Sequence, residues 1–531
     1  MSLGASGEVG LLVDLARDVY ADDATATDVL QAARARLREP LRLAVAGMVK
    51  AGKSTLLNAL IGEQIAPTDA GECTRTVTWY RYAKTARVTA NLVGGGEVRL
   101  PVRRSAGALV LDLDGRTADD VSRIDVEWPS ENLRGTVLID TPGIASLSER
   151  VSARSTRFLT PSDAPSEADA ILYLLRHIHA SDVSFLEAFH DTAAGAAQTV
   201  NAVALLSRAD EIGAGRIDSL LSAARIAGRY RADGELRSIA LECIPVAGLL
   251  AEAARTLREN EFAALRELAD LDRSTRDRML ISVDRFTRPT TDCSLSPAQR
   301  RALLARFGIF GIRLATALIR GGARTSSELS ERLVQQSGLV DVQRFVAEQF
   351  RARAGALKAR TILDTLERLI RDRPRPGTAS VHAGIERIRS SSHDLRELDL
   401  LALLRTGGPT LLPEDAVEAE RIIGGAGTAS LSRLGLGESA RPSDVDDRVR
   451  SLLGHWRALS ESPLSDRRTV ETCHVVIRSL EGVAAQRAFD GTSRSDDDGP
   501  AVPESDAGAG GRGDGTPADV VLAGGPGKSG R

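Results

Sequence analysis

Residues 47–55, Gly-Met-Val-Lys-Ala-Gly-Lys-Ser-Thr, constrain the fold more than any other stretch of this chain. They fit the pattern G-x-x-x-x-G-K-S, in which glycines let backbone N–H groups close around phosphate oxygens. The apolar run LRLAVA precedes the loop, and the helix-forming run TLLNAL follows it. A strand, a loop and a helix N-terminus in this order place the positive end of the helix dipole at a phosphate. The segment therefore predicts a nucleotide-binding α/β domain.

The loop supplies most of the predicted phosphate and metal contacts. Lys53 is expected to reach the β- and γ-phosphates, which also places it among the predicted catalytic residues, and the Ser54 hydroxyl is expected to coordinate Mg²⁺. The residues of the loop that we expect to bind the nucleotide are Gly47, Ala51, Gly52, Lys53, Ser54 and Thr55.

Strand and helix patterns divide the chain into an α/β region and an all-helical region. Short apolar runs bounded by turn residues predict strands at 41–47, 76–82, 86–93, 135–140, 168–175, 200–207 and 241–248. Because helical stretches alternate with several of these runs, we expect a mostly parallel sheet with an antiparallel insertion near 86–130. After residue 250 the apolar residues follow helical spacing, as at Val342, Val346 and Phe350, which predicts a long helical bundle.

The predicted domains follow from these patterns. They are an N-terminal helix at 1–40, continuous over 8–38, an α/β domain at 41–255, a helical domain at 256–489 and a tail at 490–531. The tail is rich in glycine, acids and prolines and poor in large apolar residues, so we expect it to be disordered.

Composition limits the classes of partner. The 69 basic and 72 acidic residues give a net charge of −3, without the basic excess of a nucleic-acid-binding protein, so no nucleic acid is expected. Four widely separated cysteines predict reduced thiols in the cytosol. The N-terminus has no basic region before its apolar residues, and no uncharged apolar run approaches the ~18–20 residues that span a bilayer. Any membrane contact is therefore expected to be peripheral.

A second nucleotide element is LIDTPG at 138–143. Asp140 ends a strand and is expected to hold Mg²⁺ through water. The backbone N–H of Gly143 is expected to meet the γ-phosphate, so the segment would sense hydrolysis. The alternative is an ordinary strand followed by a Pro-Gly turn.

The base is predicted from Ser207-Arg208-Ala209-Asp210, which follows an apolar strand. One carboxylate can accept both donors on the guanine edge, N1–H and the 2-amino group, and we assign this role to Asp210. Arg208 can lay its aliphatic stem along the base, and Ser207 takes the place of the more usual Asn or Thr. At the next strand end, Ala247 is expected to donate its backbone N–H to the guanine oxygen. This set favours GTP over ATP.

The stretch PTDAGECTRTVTWYRY at 67–82 lies between the phosphate loop and LIDTPG. A GTP-binding switch needs a loop hydroxyl that closes onto Mg²⁺ and the γ-phosphate only in the triphosphate state. We assign this ligand and catalytic role to Thr74, with Thr76 as the alternative; either can also be an ordinary residue at a strand start. The predicted magnesium ligands are thus Ser54, Thr74 and Asp140.

Together these motifs resemble the bacterial dynamin-like GTPases, and among them the actinobacterial isoniazid-inducible proteins. The runs that carry the resemblance, over 41–250, are GKSTLLNALIG, PTDAGECTRTVTWYR, LIDTPG and LYLLRHIHASDVSFLEAFHD. The resemblance implies a P-loop GTPase head on an elongated all-α neck and trunk. It also implies GTP hydrolysis coupled to membrane binding and remodelling, homodimers formed through the heads, and a cytoplasmic protein at the inner face of the cell membrane.

Two features remain open within this resemblance. Eukaryotic dynamins carry Gln-Ser where this chain has Val49-Lys50, and Val49 cannot orient water. Lys50 can instead supply a catalytic positive charge, as an arginine does in guanylate-binding proteins, or it can point to solvent or pair with an acid on a partner head.

The membrane segment is the second open feature. Residues 406–437 combine glycines with leucines and isoleucines that look exposed, and we expect them to contact lipid. The stretch 307–320 is the other apolar candidate, but its spacing suits a buried helix, and 406–437 can also be an ordinary loop. The competing function is a GTP-dependent switch whose helices bind a partner, without membrane remodelling.

Overall fold

The computed structural model describes residues 4–68, 76–105, 107–143, 159, 166–192, 199–232, 234–408 and 411–495. The chain divides into two compact units, one up to Val483 and one from Ala484 onward. Thr74, part of the stretch 67–82, and most of the predicted tail lie outside the described residues.

Eleven strands are present in the described residues. They are β1 (Leu41–Gly47), β2 (Val77–Tyr82), β3 (Arg87–Leu92), β4 (Glu97–Leu100), β5 (Arg103–Ser105), β6 (Ala108–Val110), β7 (Val121–Trp128), β8 (Thr136–Asp140), β9 (Ala170–Leu175), β10 (Ala202–Ser207) and β11 (Cys243–Val246). Nine form one sheet in the order β11-β10-β9-β1-β8-β2-β7-β3-β4, and β5 pairs with β6. The run from β11 to β8 is parallel, whereas β3 and β4 are antiparallel to their neighbours. The predicted parallel sheet with an antiparallel insertion is confirmed.

The central strands explain where the site lies. All residues of β8, β9 and β10 are buried, as expected for parallel strands covered on both faces. In the register, Val45 of β1 lies opposite Asp140 of β8, and Gly47 lies opposite Leu174 of β9. The loops that follow these parallel strands therefore meet at one edge of the sheet, which is where such sheets bind ligands.

Twenty α-helices occur in the described residues, and after β11 no further strand is found there. They are α1 (Ala5–Val19), α2 (Ala24–Arg36), α3 (Lys53–Ile61), α4 (Ala180–Thr192), α5 (Ser219–Ala232), α6 (Gly234–Ile239), α7 (Gly248–Arg255), α8 (Glu259–Asp270), α9 (Arg273–Met279), α10 (Val283–Thr287), α11 (Pro297–Arg320), α12 (Ser326–Gln336), α13 (Leu339–Phe345), α14 (Ala354–Asp372), α15 (Thr378–Ser391), α16 (His393–Arg405), α17 (Pro413–Ile422), α18 (Ser430–Leu434), α19 (Pro442–Glu461) and α20 (Arg467–Ser495). Val346–Arg351 forms a π-helical turn after α13.

The prediction of one continuous helix over 8–38 is wrong. The chain breaks after α1, and Asp23 caps the start of α2 by accepting a hydrogen bond from the backbone N–H of Ala26. The hydroxyl of Tyr20 at the break donates to the carbonyl of Arg373 at 2.9 Å. An aspartate that caps a new helix competes with continuation of the old one, which explains the break.

Helix α11 is, among the described helices, the one long and apolar enough to cross a membrane by length and composition. Its backbone is interrupted at Gly308, where φ is 63° and ψ is 172°. Phe307, Phe310 and Ile312 are buried in an apolar cluster with α7 and α8. The predicted helix at 307–320 is therefore buried along part of its surface and is interrupted at Gly308.

The prediction that the apolar residues of 406–437 are exposed is wrong for Ile422, Ile423 and Leu434, which are fully buried. Arg405, directly before this segment, fixes its start: the guanidinium donates hydrogen bonds to the carbonyls of Ala240 and Leu241, just before β11. Contacts with residues distant in the sequence bury these apolar side chains, so the local sequence does not reveal their burial. Leu412 and Val417 remain exposed.

A buried carboxylate joins three elements of the helical domain. Glu397 of α16 accepts hydrogen bonds from Arg433 of α18 and, at 2.6 Å, from Ser479 of α20. His393 Nε2 lies 3.3 Å from the same carboxylate. Burial alone would raise the pKa of Glu397, but its hydrogen bonds to His393, Arg433 and Ser479 and the charge of Arg433 lower it to about 2.

Replacing Glu397 with glutamine is expected to lower the free energy of unfolding by about 3 kcal/mol, because Arg433 loses a buried partner. The folded-state pKa lies below the ordinary value of 4.5. The stabilisation is therefore complete above about pH 4.5 and is lost as the pH falls towards about 2. Urea unfolding of both proteins at pH 7 and pH 4 tests this. Glu471→Gln, in an exposed pair with Arg467, is the matched control; equal losses in both variants would contradict the prediction.

Candidate functional site

The phosphate loop connects β1 to α3 through two glycines with positive φ. At Gly47 φ is 143°, and a Cβ atom there would collide with the carbonyl oxygen of Leu174. Gly52, with φ at 97°, caps α3. The buried ammonium of Lys53 donates to the carbonyls of Gly47 and Met48 at 3.2 and 3.3 Å. Burial lowers the pKa of Lys53, and the charge of Asp140 opposes that change.

Two of the three predicted magnesium ligands lie together. The hydroxyl of Ser54 donates to Oδ2 of Asp140 at 2.9 Å. Burial raises the pKa of Asp140 to about 6, while the Lys53 charge and the Ser54 hydrogen bond oppose the rise. A hydroxyl and a carboxylate are hard oxygen donors that fit Mg²⁺. The third predicted ligand, Thr74, lies outside the described residues; its alternative, Thr76, is buried, and its Oγ1 has no hydrogen-bond partner in the described part of the chain.

The LIDTPG segment lies directly against the phosphate loop. A Cβ atom on Gly143 would come within 2.6 Å of Cγ2 and 2.9 Å of Cα of Val49. Thr141, which sequence reasoning did not single out, donates from its hydroxyl to the carbonyl of Val45 at 2.9 Å. Only glycine fits at position 143 while the segment lies this close to Val49.

Replacing Gly143 with alanine is expected to reduce kcat for GTP about 100-fold, because the new methyl group separates the two loops by a fraction of an ångström to an ångström. Phosphate release under saturating GTP measures the effect. Gly454→Ala, at a helical position where a Cβ meets nothing within 4 Å, is the control and should retain full turnover. A wild-type kcat in Gly143→Ala would show that the close contact is dispensable.

A cavity of about 150 Å³ joins the phosphate loop to the predicted base segment. Its lining includes three of the predicted loop residues and three of the predicted base residues: Ala51, Gly52, Thr55, Ser207, Arg208 and Asp210. Asp210 is only 7% exposed, and its Oδ1 has no hydrogen-bond partner in the described part of the chain. Burial raises the pKa of Asp210. A buried acceptor without a partner is costly, and the two donors of a guanine edge would satisfy it.

Arg208 connects the base segment to the phosphate loop. It adopts a left-handed backbone conformation, with φ at 53°. Its guanidinium donates to the Lys50 carbonyl at 3.0 Å and to the Glu211 carboxylate at 2.7 Å. Arg176, at the end of β9, donates to the other oxygen of Glu211. Sequence reasoning missed Arg176 and Glu211, because an ion pair between two loops has no local signature.

Lys50 lies exposed on the loop in a left-handed conformation, with φ at 64°. Its carbonyl is held by Arg208, whereas its ammonium makes no hydrogen bond or ion pair with any residue that the structure describes. This position leaves the side chain available either to a bound nucleotide or to solvent.

The assignment of Ala247 is contradicted. Its backbone N–H donates to the carbonyl of Ser337 at 2.9 Å, and the residue is fully buried. The N–H is therefore not available to a guanine oxygen, and Val246 and Gly248 line the cavity instead. Ser337 belongs to the turn between α12 and α13, far from Ala247 in the sequence, so local sequence does not predict this hydrogen bond.

Comparisons with known proteins show which family this chain belongs to. A family model described as the dynamin family matches residues 43–191. The isoniazid-induced protein IniC of Mycobacterium tuberculosis is 42% identical over 452 residues, which cover 85% of this chain and 91% of that protein. The bacterial dynamin-like protein of Nostoc punctiforme is 36% identical over 114 residues, 19% of this chain and 16% of that protein. The match to a solved oligomerised bacterial dynamin pair covers 89% of both chains at 13% identity, with a TM-score of 0.31.

Proposed function

This chain belongs to the dynamin family of GTPases, and on that premise we propose that its α/β domain hydrolyses GTP to GDP and phosphate. One observation carries the choice of GTP: the buried carboxylate of Asp210, whose Oδ1 has no hydrogen-bond partner among the described residues, lines the same cavity as Ala51, Gly52 and Thr55 of the phosphate loop. A ligand that fills this cavity meets phosphate-binding N–H groups and a guanine-selective acceptor together.

Each residue has a stated role in this proposal. Lys53 moves its ammonium from the Gly47 and Met48 carbonyls to the β- and γ-phosphate oxygens. Ser54 and Asp140 would hold Mg²⁺, with Thr74 as the third ligand expected from the sequence. Bound Mg²⁺ neutralises negative charge on the phosphates. Gly143 presents its N–H to the γ-phosphate.

Lys50 supplies a positive charge to the transition state in this proposal. Lys50→Ala is therefore expected to lower kcat about 100-fold, the usual cost of removing one stabilising group. GDP affinity should stay the same, because the residue is exposed and does not line the cavity. Single-turnover phosphate release measures the change. Unchanged turnover with intact affinity would assign Lys50 to the surface.

We further propose that hydrolysis is coupled to peripheral membrane binding and remodelling at the cytoplasmic face, with dimers formed through the α/β domains. Family membership supports this part of the proposal. The alternative is a GTP-dependent switch whose helices bind a protein partner. The burial of Ile422, Ile423 and Leu434 favours that alternative, because it removes apolar residues from the expected lipid-binding segment.

Co-sedimentation with anionic vesicles separates the two functions. We expect the protein to sediment in a nucleotide-dependent way and its phosphate release to rise with lipid. Lys53→Ala controls for nucleotide dependence. No sedimentation with a GTP analogue or GDP, together with turnover that lipid does not change, would contradict the membrane function and favour the switch.

A further inference from the structure

The segment after Asp210 has an unusual backbone. Gly213, Ala214 and Gly215 have φ values of 65°, 63° and 68° in succession. For alanine the left-handed region is sterically unfavourable, so a conformation of this kind persists only when neighbouring structure holds it. The carbonyl of Glu211 accepts one hydrogen bond from the N–H of Ala214, which leaves the far end of the segment to be held from elsewhere.

Arg313 of helix α11 fixes the far end of this segment, at Gly215. Its guanidinium donates to the carbonyl of Gly215, and also to the carbonyls of Leu280 at 3.0 Å and Ile281 at 3.1 Å. Ile309, one turn earlier on the helix, packs so closely that a Cβ on Gly215 would lie 3.1 Å from its Cγ2. A planar guanidinium with several donors can bridge three carbonyls in a fixed geometry, which a single ammonium cannot do.

The turn of α11 that contains Gly308 and Ile309 also lies beside the carboxylate of Asp210. At Gly308, φ of 63° and ψ of 172° fall in a region that glycine almost alone adopts. A Cβ there would stand 3.7 Å from Leu249 and 3.9 Å from Oδ2 of Asp210. The interruption in α11 thus brings its backbone beside Asp210, and the following turn brings Arg313 to the segment that continues from Asp210.

We propose that Arg313, a residue of the helical domain, is a positioning residue for guanine recognition. By holding Gly215 it keeps the segment 210–215 in place, so that Asp210 points into the base cavity. The inference rests on the proposed GTP function and extends it to a residue outside the α/β domain. Because binding linkage is reciprocal, guanine binding then also favours the arrangement in which α11 and the end of α9 meet at Arg313.

The test compares affinities for GTP and ITP, which lacks the 2-amino group and offers Asp210 one donor fewer. Competition against a fluorescent GDP gives both dissociation constants. We expect Arg313→Gln to lower the ratio Kd(ITP)/Kd(GTP) at least 5-fold, because GTP loses two hydrogen bonds to Asp210 and ITP loses only the one from its N1–H. Arg313→Lys should recover the ratio only in part. General destabilisation would weaken both nucleotides alike and leave the ratio constant.

Matched variants make each outcome decisive. Arg306→Gln alters the same helix at a side chain that bonds Glu261 and the Thr256 carbonyl, and it should keep the wild-type ratio. Gly215→Ala strains the contact with Ile309 from the loop side and should lower the ratio even if Arg313→Gln does not fold. If Asp210→Asn lowers the ratio but Arg313→Gln and Gly215→Ala do not, the inference is overturned and the GTP function stands. If Asp210→Asn also leaves the ratio unchanged, guanine recognition itself is wrong.

Discussion

Replacing Lys53 with alanine is expected to reduce kcat/KM for GTP by about 10⁴-fold, through loss of a charge that stabilises the β- and γ-phosphates during transfer. Lys53 is buried at the N-terminus of α3, and its ammonium already lies beside the loop carbonyls of Gly47 and Met48. Only a short movement is needed for it to reach a phosphate in the loop. Single-turnover phosphate release, combined with titration of GDP, separates the loss of rate from the loss of affinity.

The control for Lys53 is Lys84, an exposed lysine in the turn between β2 and β3. Lys84→Ala removes the same charge from the protein at a position away from the phosphate loop, and should leave kcat/KM unchanged. A Lys53→Ala protein within tenfold of the wild type would mean that another cation serves the phosphates.

Replacing Asp210 with asparagine is expected to shift the preference between GTP and XTP by about 10⁴-fold. Asparagine keeps the size of the side chain, but its amide can accept only one of the two guanine donors and its NH₂ group then faces the 2-amino group. Xanthine carries a carbonyl at that position, which the NH₂ group can satisfy. Two charge-assisted hydrogen bonds at ~1.5–3 kcal/mol each account for a loss of this size, since every 1.4 kcal/mol is tenfold.

Competition binding with GDP and XDP, followed by hydrolysis of both triphosphates, measures the shift. Asp218→Asn provides the control, because Asp218 follows the same segment but its side chain is exposed and paired with Arg216. A uniform loss of affinity for both bases in Asp210→Asn would assign Asp210 to folding and not to base selection.

Local sequence predicts the central strands of this protein to within about two residues. β1, β8, β9 and β10 are buried on both faces, so their sequences are nearly continuous apolar runs that end at glycine or a polar turn. The long N-terminal helix was predicted less well. Helical periodicity continues through the break, and the deciding feature is the cap that Asp23 makes at the start of α2.

The residues at the ends of parallel strands were predictable as a site. Lys53, Ser54 and Asp210 follow β1 and β10, and Asp140 is the last residue of β8; the topology of a parallel sheet brings such positions to one edge. Their spacing relative to glycines and strand ends is a local property of the chain, so the sequence contains it.

Only the tertiary structure decided which polar groups already have a hydrogen-bond partner and which apolar side chains are buried. The backbone N–H of Ala247 donates to the carbonyl of Ser337, and Ile422 and Ile423 are fully buried. Gly308 and Arg313 reach the base segment because α11 is interrupted and packs against it. Whether a group finds a hydrogen-bond partner, or is buried by another side chain, depends on residues that are distant in the sequence and near in the folded structure. Such contacts have no period, spacing or motif. For that reason the sequence by itself determined the phosphate-loop pattern and the polar residues at the strand ends, whereas only the tertiary structure decided which of their polar groups are already hydrogen-bonded.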